Sequence, residues 1–416
     1  MAFEYRNGAL CVEQVPLEDI ARRFGTPCYV YSRAAITAGY DTFARALAGR
    51  RALVAYSVKA NSNLAVLSLM ARLGAGFDIV SGGELARVLA AGGKPGRILF
   101  SGVGKSEDEI ARALQAGILC LNLESEGELA RVAAAAGRLG RRAPVAFRVN
   151  PDVDAKTHPY ISTGLGQSKF GVPYEDAERL YQEAARMAQV EVVGIGCHIG
   201  SLMTHAGPFI DAAARILALT ERLQRGGINL AHIDLGGGFG IRYRDESPAP
   251  AGEFLEGAFG VLAGRREMLI VDPGRAIVGN AGALLTRVEY LKPGAEKCFL
   301  VVDAAMNDLI RPALYGAWHD VLPAQQADEA APMAVYDVVG PVCESADLLA
   351  RDRRLAARPG DLLAVMSAGA YAMAMSSNYN SRPRAAEVMV DGAVAHLVRR
   401  RESVPELFAG ESIPAW

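Results

Sequence analysis

The stretch RILFSGVGKSEDEIARALQAGILCLN, residues 97–122, decides the fold of this chain. An apolar run, RILFSG (97–102), precedes an amphipathic stretch, SEDEIARALQAG (106–117), and a second apolar run, ILCLN (118–122). Ser106 and Glu109 have the spacing of a capping box, and Gly117 is typical of the position just past a helix. The stretch therefore predicts a β-strand, an α-helix and a second β-strand.

This strand-then-helix rhythm repeats from residue 52 to about residue 275. Eight apolar runs are separated by longer, Ala-rich amphipathic stretches: ALVAYSV (52–58), GFDIV (76–80), RILFSG (97–102), ILCLN (118–122), PVAFRVN (144–150), VVGIGCHIG (192–200), LAHIDLGGG (230–238) and MLIVDPG (268–274). Eight such units predict an α/β fold of the (β/α)₈ TIM-barrel type, placed at residues 31–275. A doubly wound open sheet is the alternative, but no G-x-G-x-x-G follows the first strand.

The sequence changes character after residue 275. Runs such as EKCFLVVDAAMN (296–307) and AEVMVDGAVAHLV (386–398) read as short strands joined by Gly, Pro and Asp turns. We predict a second, mainly β domain of sandwich- or barrel-like form at residues 276–416. About residues 1–30 are expected to join it, through a strand in PCYVYS (27–32).

The overall composition excludes several classes of function. The chain has 416 residues and a formal net charge of −2, which gives no electrostatic footprint for nucleic acid or an anionic membrane. No apolar run approaches a membrane span, and the first residues lack the build of a signal peptide. The six cysteines are scattered, with no C-x-x-C pair, so we expect reduced thiols, a cytoplasmic location and no metal site.

The polar residues of interest fall at the ends of the predicted barrel strands, where barrel enzymes carry their chemistry. The candidates are Lys59, Asp78, Arg148, His198, Ser201, Gly236, Gly237, Gly238, Asp272 and Arg275. Lys59 by itself has two interpretations. It is either a surface lysine whose stem packs at a strand end, or an amine in a partly desolvated pocket that acts as a nucleophile.

The three successive glycines predict an anion site. Without Cβ atoms, their backbone N–H groups are expected to point into one cavity, and phosphate sites of barrels often lie after strands seven and eight. Arg275 would add a charged donor. A flexible turn is the plainer interpretation of Gly236, Gly237 and Gly238.

Taken as a set, these residues predict a pyridoxal phosphate site. Lys59 would carry the cofactor covalently, His198 would stack on its ring, and Asp272 would pair with the ring nitrogen. Taken separately, His198 would be interpreted as a buried core histidine and Asp272 as a helix cap before Pro273. Their convergence with an anion cradle favours the cofactor site.

Several motifs resemble a known enzyme family. YSVKAN, HIGS, DLGGGFG and PGR resemble the fold-type III pyridoxal phosphate enzymes, which combine a barrel with a β domain. Within that group, NPDVDAKTHPYISTG (150–164), KFG (169–171), MNDLIRPALY (306–315), GPVCESAD (340–347) and SAGAYAMAMSSNYNSRPR (367–384) resemble diaminopimelate decarboxylases. The resemblance covers nearly the whole chain. It implies decarboxylation of meso-2,6-diaminopimelate to L-lysine and CO₂, the last step of lysine biosynthesis.

The resemblance also implies roles for individual residues. Lys59, His198 and Cys343 would be catalytic, with Cys343 as a proton donor supplied by the partner subunit of a homodimer with composite active sites. The implied cofactor contacts are Lys59, Asp78, Arg148, His198, Ser201, Gly236, Gly237, Gly238, Asp272, Arg275 and Tyr371. The implied substrate contacts are Arg275, Arg311, Tyr315, Glu344 and Tyr371.

Two positions depart from the family pattern. The family usually has glutamate where Asp272 stands and often lysine where Gly166 stands. Three alternative functions are disfavoured by particular features of the sequence. Ornithine- or lysine-type decarboxylases need no distal carboxylate, so the pairing of Arg311 with Glu344 disfavours them. Alanine racemases are expected to place a cation at the ring nitrogen, which Asp272 does not provide. Single-barrel cofactor carriers lack a second domain.

Overall fold

The computed structural model describes residues 2–154, 169–328 and 330–416. The chain divides into two compact units. The barrel unit comprises Gly39–Ile241 and Glu246–Ala276, and the β-rich unit comprises Met1–Ala38, Arg242–Asp245 and Ile277–Trp416. The predicted limits differ from this division at residues 31–38 and at Arg242–Asp245, both of which the sequence assigned to the barrel. In the latter segment Tyr243 and Arg244 stack on side chains of the β-rich unit.

The amino-terminal segment contributes mostly to the β-rich unit. Its elements are β1 (Phe3–Arg6), β2 (Ala9–Val12), β3 (Val15–Pro16), α1 (Leu17–Phe24), β4 (Cys28–Ser32) and α2 (Arg33–Ala46). Strands β1, β2 and β3 form a small antiparallel sheet. Every residue of β4 is buried, because this strand lies inside the large sheet of the unit.

Eight parallel strands close the barrel, as predicted. They are β5 (Ala52–Ser57), β6 (Gly76–Ile79), β7 (Ile98–Phe100), β8 (Cys120–Leu123), β9 (Ala143–Asn150), β11 (Val190–Gly196), β12 (His232–Asp234) and β13 (Met268–Val271). Each pairs with its sequence neighbour, and β13 pairs with β5 to complete the ring. A short strand, β10 (Val172–Pro173), adds to the edge of β9. Apolar side chains such as Leu53, Leu99 and Ile270 pack together among the barrel strands.

Helices follow the barrel strands in turn. They are α3 (Leu64–Leu73), α4 (Gly82–Ala90), α5 (Glu107–Ala116), α6 (Glu126–Arg138), α7 (Tyr174–Arg186), α8 (Gly207–Arg225), α9 (Ala251–Val261) and the short α10 (Arg275–Val278). Helix α5 is capped as its sequence predicts, because Ser106 and Glu109 form a reciprocal capping box and Gly117 adopts φ 73° at the end. The cap at Ser106 fixes where the loop after β7 ends, and loops of this kind, between a strand and the next helix, carry the site.

The β-rich unit is built on one large sheet with an antiparallel core. Its remaining elements are β14 (Gly282–Lys292), β15 (Cys298–Val302), α11 (Arg311–Tyr315), β16 (Val321–Pro323), β17 (Ala334–Val339), β18 (Leu348–Leu355), β19 (Leu362–Val365), β20 (Ala386–Asp391) and β21 (Val394–Arg399). The main strand order is β18-β17-β15-β14-β4-β20-β21. A buried cluster including Val30, Leu285, Ala364 and Val388 forms its core. The predicted fold class, a barrel with a mainly β second domain, is confirmed.

A membrane span was not expected from the sequence. Within the described ranges, no helix is long and apolar enough to cross a membrane.

Candidate active site

Lys59 lies in the single turn that follows β5, at the carboxyl end of the barrel strands. Its Nζ is 3.5 Å from Oδ2 of Asp78, a buried residue of β6. The Ser101 hydroxyl donates to Oδ1 of Asp78 at 2.6 Å, and the Asn122 amide donates to Ser101 at 3.1 Å. Three consecutive strand ends therefore orient the carboxylate that pairs with the lysine. The Lys59 amine thus lies in the pocket that these strand ends form, and its role as nucleophile stays a prediction.

Arg148, at the end of β9, links the next parts of the rim. Its guanidinium donates to the backbone oxygen of His198 at 3.3 Å and lies 3.6 Å from the buried carboxylate of Glu124. Its guanidinium carbon is 4.8 Å from the centre of the Phe170 ring. These contacts make Arg148 a support for the loop that carries His198.

His198 is held as a neutral ring. The backbone N–H of Gly237 donates to its Nδ1 at 3.3 Å, so that the ring proton belongs on Nε2. Burial lowers the pKa of His198 well below its usual value, and the nearby charges of Lys59 and Arg148 add to this shift. A flat, uncharged imidazole suits stacking against a planar ring better than it suits acid catalysis.

The glycine triplet packs more tightly than the sequence suggested. The N–H groups of Gly236 and Gly237 donate to Asp234 and His198, so the prediction that all three groups face one anion is wrong. A Cβ on Gly237 would lie 2.3 Å from Oδ1 of Asp272, and one on Gly238 would lie 2.1 Å from the oxygen of Gly200. Gly236 and Gly238 also have φ values of 75° and 89°. The glycines thus let this loop approach the neighbouring backbone at Gly200 and Asp272 closely.

Two further carboxyl groups line the pocket, Asp234 at the end of β12 and Asp272 just after β13. Burial raises the pKa of Asp234 to about 7. Burial also raises the pKa of Asp272 well above its usual value, and the carboxylates of Asp78 and Asp234 add to the shift. A cation hydrogen-bonded to Asp272 would offset this penalty. The protonated ring nitrogen of pyridoxal phosphate is such a cation.

The pocket residues fit that cofactor in two respects. Oδ1 of Asp272 is buried and, among the described residues, accepts no hydrogen bond, although it is 3.7 Å from Nδ1 of His198. Arg275 begins α10, and its guanidinium donates to the Ser201 hydroxyl at 3.2 Å, which places a cation and a hydroxyl together as phosphate ligands. Among the described residues, no His, Cys, Asp or Glu cluster suits a metal ion.

The remaining predicted residues belong to the β-rich unit. Arg311 is buried at the start of α11, where Tyr315 is the last residue. Tyr371 adopts φ 54°, a left-handed conformation that is uncommon for a non-glycine residue. Cys343 and Glu344 are exposed in the turn between β17 and β18. The predicted family difference at Gly166 lies outside the described residues.

Five residues around these groups were missed from the sequence. Ser101, Asn122 and Asp234 line the same pocket as Lys59, and the strand-end rule that found Lys59 would also have found them. Tyr243 and His319 contact Arg311, and no motif signalled either.

Comparisons with known proteins identify the family of the chain. Residues 33–279 match the family described as pyridoxal-dependent decarboxylase, pyridoxal binding domain. Diaminopimelate decarboxylase of Pseudomonas aeruginosa is 59% identical over 411 residues, which cover 99% of each chain. The crystal structure of diaminopimelate decarboxylase from Helicobacter pylori complexed with L-lysine superposes with a TM-score of 0.91 at 41% identity, covering 94% of this chain and 98% of that one.

A more distant relative has the same architecture. The diaminopimelate decarboxylase structure from M. jannaschii in co-complex with L-lysine has a TM-score of 0.94 at 36% identity, covering 99% of this chain and 98% of that one. The predicted enzyme class and the predicted cofactor, pyridoxal phosphate, are confirmed by these matches. This chain therefore belongs to the diaminopimelate decarboxylase family of pyridoxal-dependent decarboxylases.

Proposed function

We propose that the barrel pocket binds pyridoxal phosphate on Lys59 and decarboxylates meso-2,6-diaminopimelate to L-lysine and CO₂, the last step of lysine biosynthesis. The observation that carries this proposal is the Lys59 amine 3.5 Å from the buried Asp78, at the mouth of a pocket built from strand ends. L-lysine, bound in the Helicobacter pylori relative, is the product expected here.

The chain's own residues supply the binding and orientation. Asp78 holds the Lys59 amine, while Ser101 and Asn122 keep that carboxylate in place. Arg275 and Ser201 would bind the phosphate, and Gly236, Gly237 and Gly238 allow the close packing of the loop beside it. His198 would stack on the ring, and Arg148 supports the backbone of His198.

Asp272 would accept a hydrogen bond from the protonated ring nitrogen. When bound, the cofactor supplies an electron sink for the electron pair left behind as the α-carboxylate departs as CO₂. Asp272 would keep that sink effective by stabilising the positive charge on the ring nitrogen. Aspartate is one methylene shorter than the family's usual glutamate, so its carboxyl group extends less far from the backbone after β13.

The reaction also needs a proton at the carbon that lost CO₂, and we propose that Cys343 of a second copy of the chain supplies it from Sγ. Cys343 and Glu344 are exposed, as expected for groups that act on another copy. Their turn is well anchored, since Asn380 accepts from the Cys343 N–H and the buried Asp347 accepts from the N–H groups of Val342 and Met306. A homodimer with composite sites follows from this assignment.

The far end of the substrate carries a second amino-acid head group. We propose that Arg311 binds its carboxylate and Glu344 its ammonium, with Tyr315 and Tyr371 completing the site. Pairing both charges rejects substrates that lack either one, because an unpaired charge would remain buried. The scattered cysteines support a reducing compartment, and we propose the cytoplasm.

Trapping the cofactor tests the attachment point. Borohydride reduction of the holoenzyme followed by peptide mapping should place the cofactor on Lys59, and Lys59→Ala should abolish both trapping and turnover because no amine remains beside Asp78. Lys94→Ala, which removes an exposed lysine, is the matched control and should behave as the parent does. Recovery of the cofactor on another lysine would overturn the assignment.

Mixing two inactive variants tests the composite site. Lys59→Ala and Cys343→Ala should each be inactive, and hybrid dimers should contain one site with both residues intact. At equal amounts and random exchange, activity should return to about a quarter of the parental value. No return of activity, with subunit exchange demonstrated by differently tagged chains, would show that each site is built within one chain.

A further inference from the structure

Arg311 is held by two side chains of its own unit. Only 3% of Arg311 is exposed. Its Nη1 donates to Nε2 of His319 at 2.8 Å, and its guanidinium carbon is 4.5 Å from the centre of the Tyr243 ring. One edge and one face of the guanidinium are therefore occupied by protein.

His319 acts here as a hydrogen-bond acceptor. Its Nδ1 is 2.8 Å from the backbone oxygen of Met366, and because a carbonyl only accepts, Nδ1 carries the ring proton. Nε2 then presents its lone pair to Arg311. A second ring proton would set one N–H against another at 2.8 Å. The contacts thus require a neutral ring of one defined tautomer, in a residue that is fully buried.

Tyr243 completes the support. Its ring meets the His319 ring edge-on, with centroids 5.3 Å apart and planes 76° apart, and stacks on Arg311. Stacking of a guanidinium on an aromatic face is favourable and fixes the plane of the fork. A guanidinium whose plane and orientation are already fixed loses less conformational entropy when it binds a carboxylate.

We infer that His319 and Tyr243 are positioning residues for substrate selectivity, which fix the Arg311 fork so that it reads the distal carboxylate. The inference rests on the role proposed above for Arg311. The orientation of the Arg311 guanidinium, together with its charge, then determines the preference for a ligand that carries the distal carboxylate.

Two product-like ligands separate this role from a general structural one. L-lysine retains the distal carboxylate and cadaverine lacks it, so their affinities for the holoenzyme isolate the contribution of the carboxylate. His319→Phe keeps a ring but removes the acceptor, and should weaken L-lysine binding by about ten- to 150-fold, with cadaverine affinity changed by no more than about threefold. His319→Gln restores an acceptor and should recover most of the loss.

Tyr243 gives a second and independent pair of variants. Tyr243→Leu removes the stacking face and should weaken L-lysine binding by about three- to thirtyfold, while Tyr243→Phe keeps the face and should bind as the parent does. In turnover, the KM for meso-diaminopimelate should rise more than kcat falls. This pair carries the test if His319→Phe does not fold.

Arg311→Ala separates failure of the inference from failure of the proposed function. If Arg311→Ala loses L-lysine affinity while His319→Phe and Tyr243→Leu do not, the positioning inference is overturned and the role of Arg311 stands. Equal losses for L-lysine and cadaverine in the His319 and Tyr243 variants would also overturn it. If Arg311→Ala binds L-lysine as well as the parent does, the proposed role of Arg311 falls and the inference falls with it.

Discussion

Three aspartates line the cofactor pocket, and their surroundings give them different tasks. Asp78 accepts hydrogen bonds from Ser101 and Ser57 and lies beside Lys59, which stabilises its charge. Asp272 and Asp234 are buried, and both have raised pKa values. Burial raises the pKa of a carboxyl group and so lets it hold a proton closer to neutral pH.

Asp234 offers a test of this electrostatic account. Burial raises its pKa from 3.8 to about 7, so the folded protein binds this proton more tightly than the unfolded chain. The contribution of this proton to the free energy of unfolding is fully present below about pH 4 and is lost as the pH rises through about 7. Asp234→Asn lacks this titrating group. The free energy of unfolding of the cofactor-free variant should therefore fall less steeply with pH over this range than that of the parent. The two slopes should differ by up to about 1.4 kcal/mol per pH unit.

Denaturant titrations of the cofactor-free protein between pH 4 and pH 8 measure this difference. Asp211→Asn is the matched control, because Asp211 is exposed on α8, and it should keep the parental pH dependence. An unchanged pH dependence in Asp234→Asn would mean that Asp234 titrates in the folded protein as it does in the unfolded chain.

Single residues were predictable where a general rule of barrels applies. Lys59, Arg148 and Asp272 were found because they follow apolar runs, and the same rule applies to Asp234, which was overlooked beside the glycines. His319 was not predictable, because its role depends on a 2.8 Å contact with Arg311 and another with the oxygen of Met366. Neither contact leaves a pattern in the sequence.

At the scale of elements, the loop after β12 shows how local packing limits function. Gly236 and Gly237 donate to Asp234 and His198, and the missing side chains allow β13 to approach. The sequence did not reveal which acceptors the N–H groups of the glycine triplet would meet. By contrast, Ser106 and Gly117 set both ends of α5 as predicted, because capping depends on near neighbours alone.

Gly237→Ala tests the packing of this loop. The new Cβ would lie 2.3 Å from Oδ1 and 2.4 Å from the backbone oxygen of Asp272, so the loop must shift. Overpacking of about 1–3 kcal/mol at the pocket should weaken cofactor binding by about five- to 150-fold. Equilibrium titration with pyridoxal phosphate, followed by its absorbance, measures the loss.

The matched control is Gly252→Ala, which changes a glycine of α9 with no heavy atom within 4 Å of the added Cβ. It should leave cofactor affinity unchanged and favour the helix by about 0.5–1 kcal/mol. Parental cofactor affinity in Gly237→Ala would show that the loop has room for a side chain, contrary to the packing described here.

At the scale of the whole molecule, the sequence identified both the barrel and the β-rich unit, because repeated strand–helix units and clusters of turn residues are visible in one dimension. It did not assign Arg242–Asp245 to the β-rich unit. That assignment depends on stacking of Tyr243 on Arg311 and of Arg244 on Trp318, which are far apart in sequence.

We propose that this chain decarboxylates one particular diamino acid, meso-2,6-diaminopimelate. The most direct measurement is kcat/KM for CO₂ release from meso-diaminopimelate, L-lysine, L-ornithine and L-arginine, with the product identified by chromatography. We expect CO₂ release from meso-diaminopimelate, with L-lysine as the product. The other three should react at least about a hundredfold less efficiently, because they lack the distal carboxylate and would leave the charge of the Arg311 guanidinium unpaired. Comparable release from lysine, ornithine or arginine, or no release from meso-diaminopimelate, would contradict it.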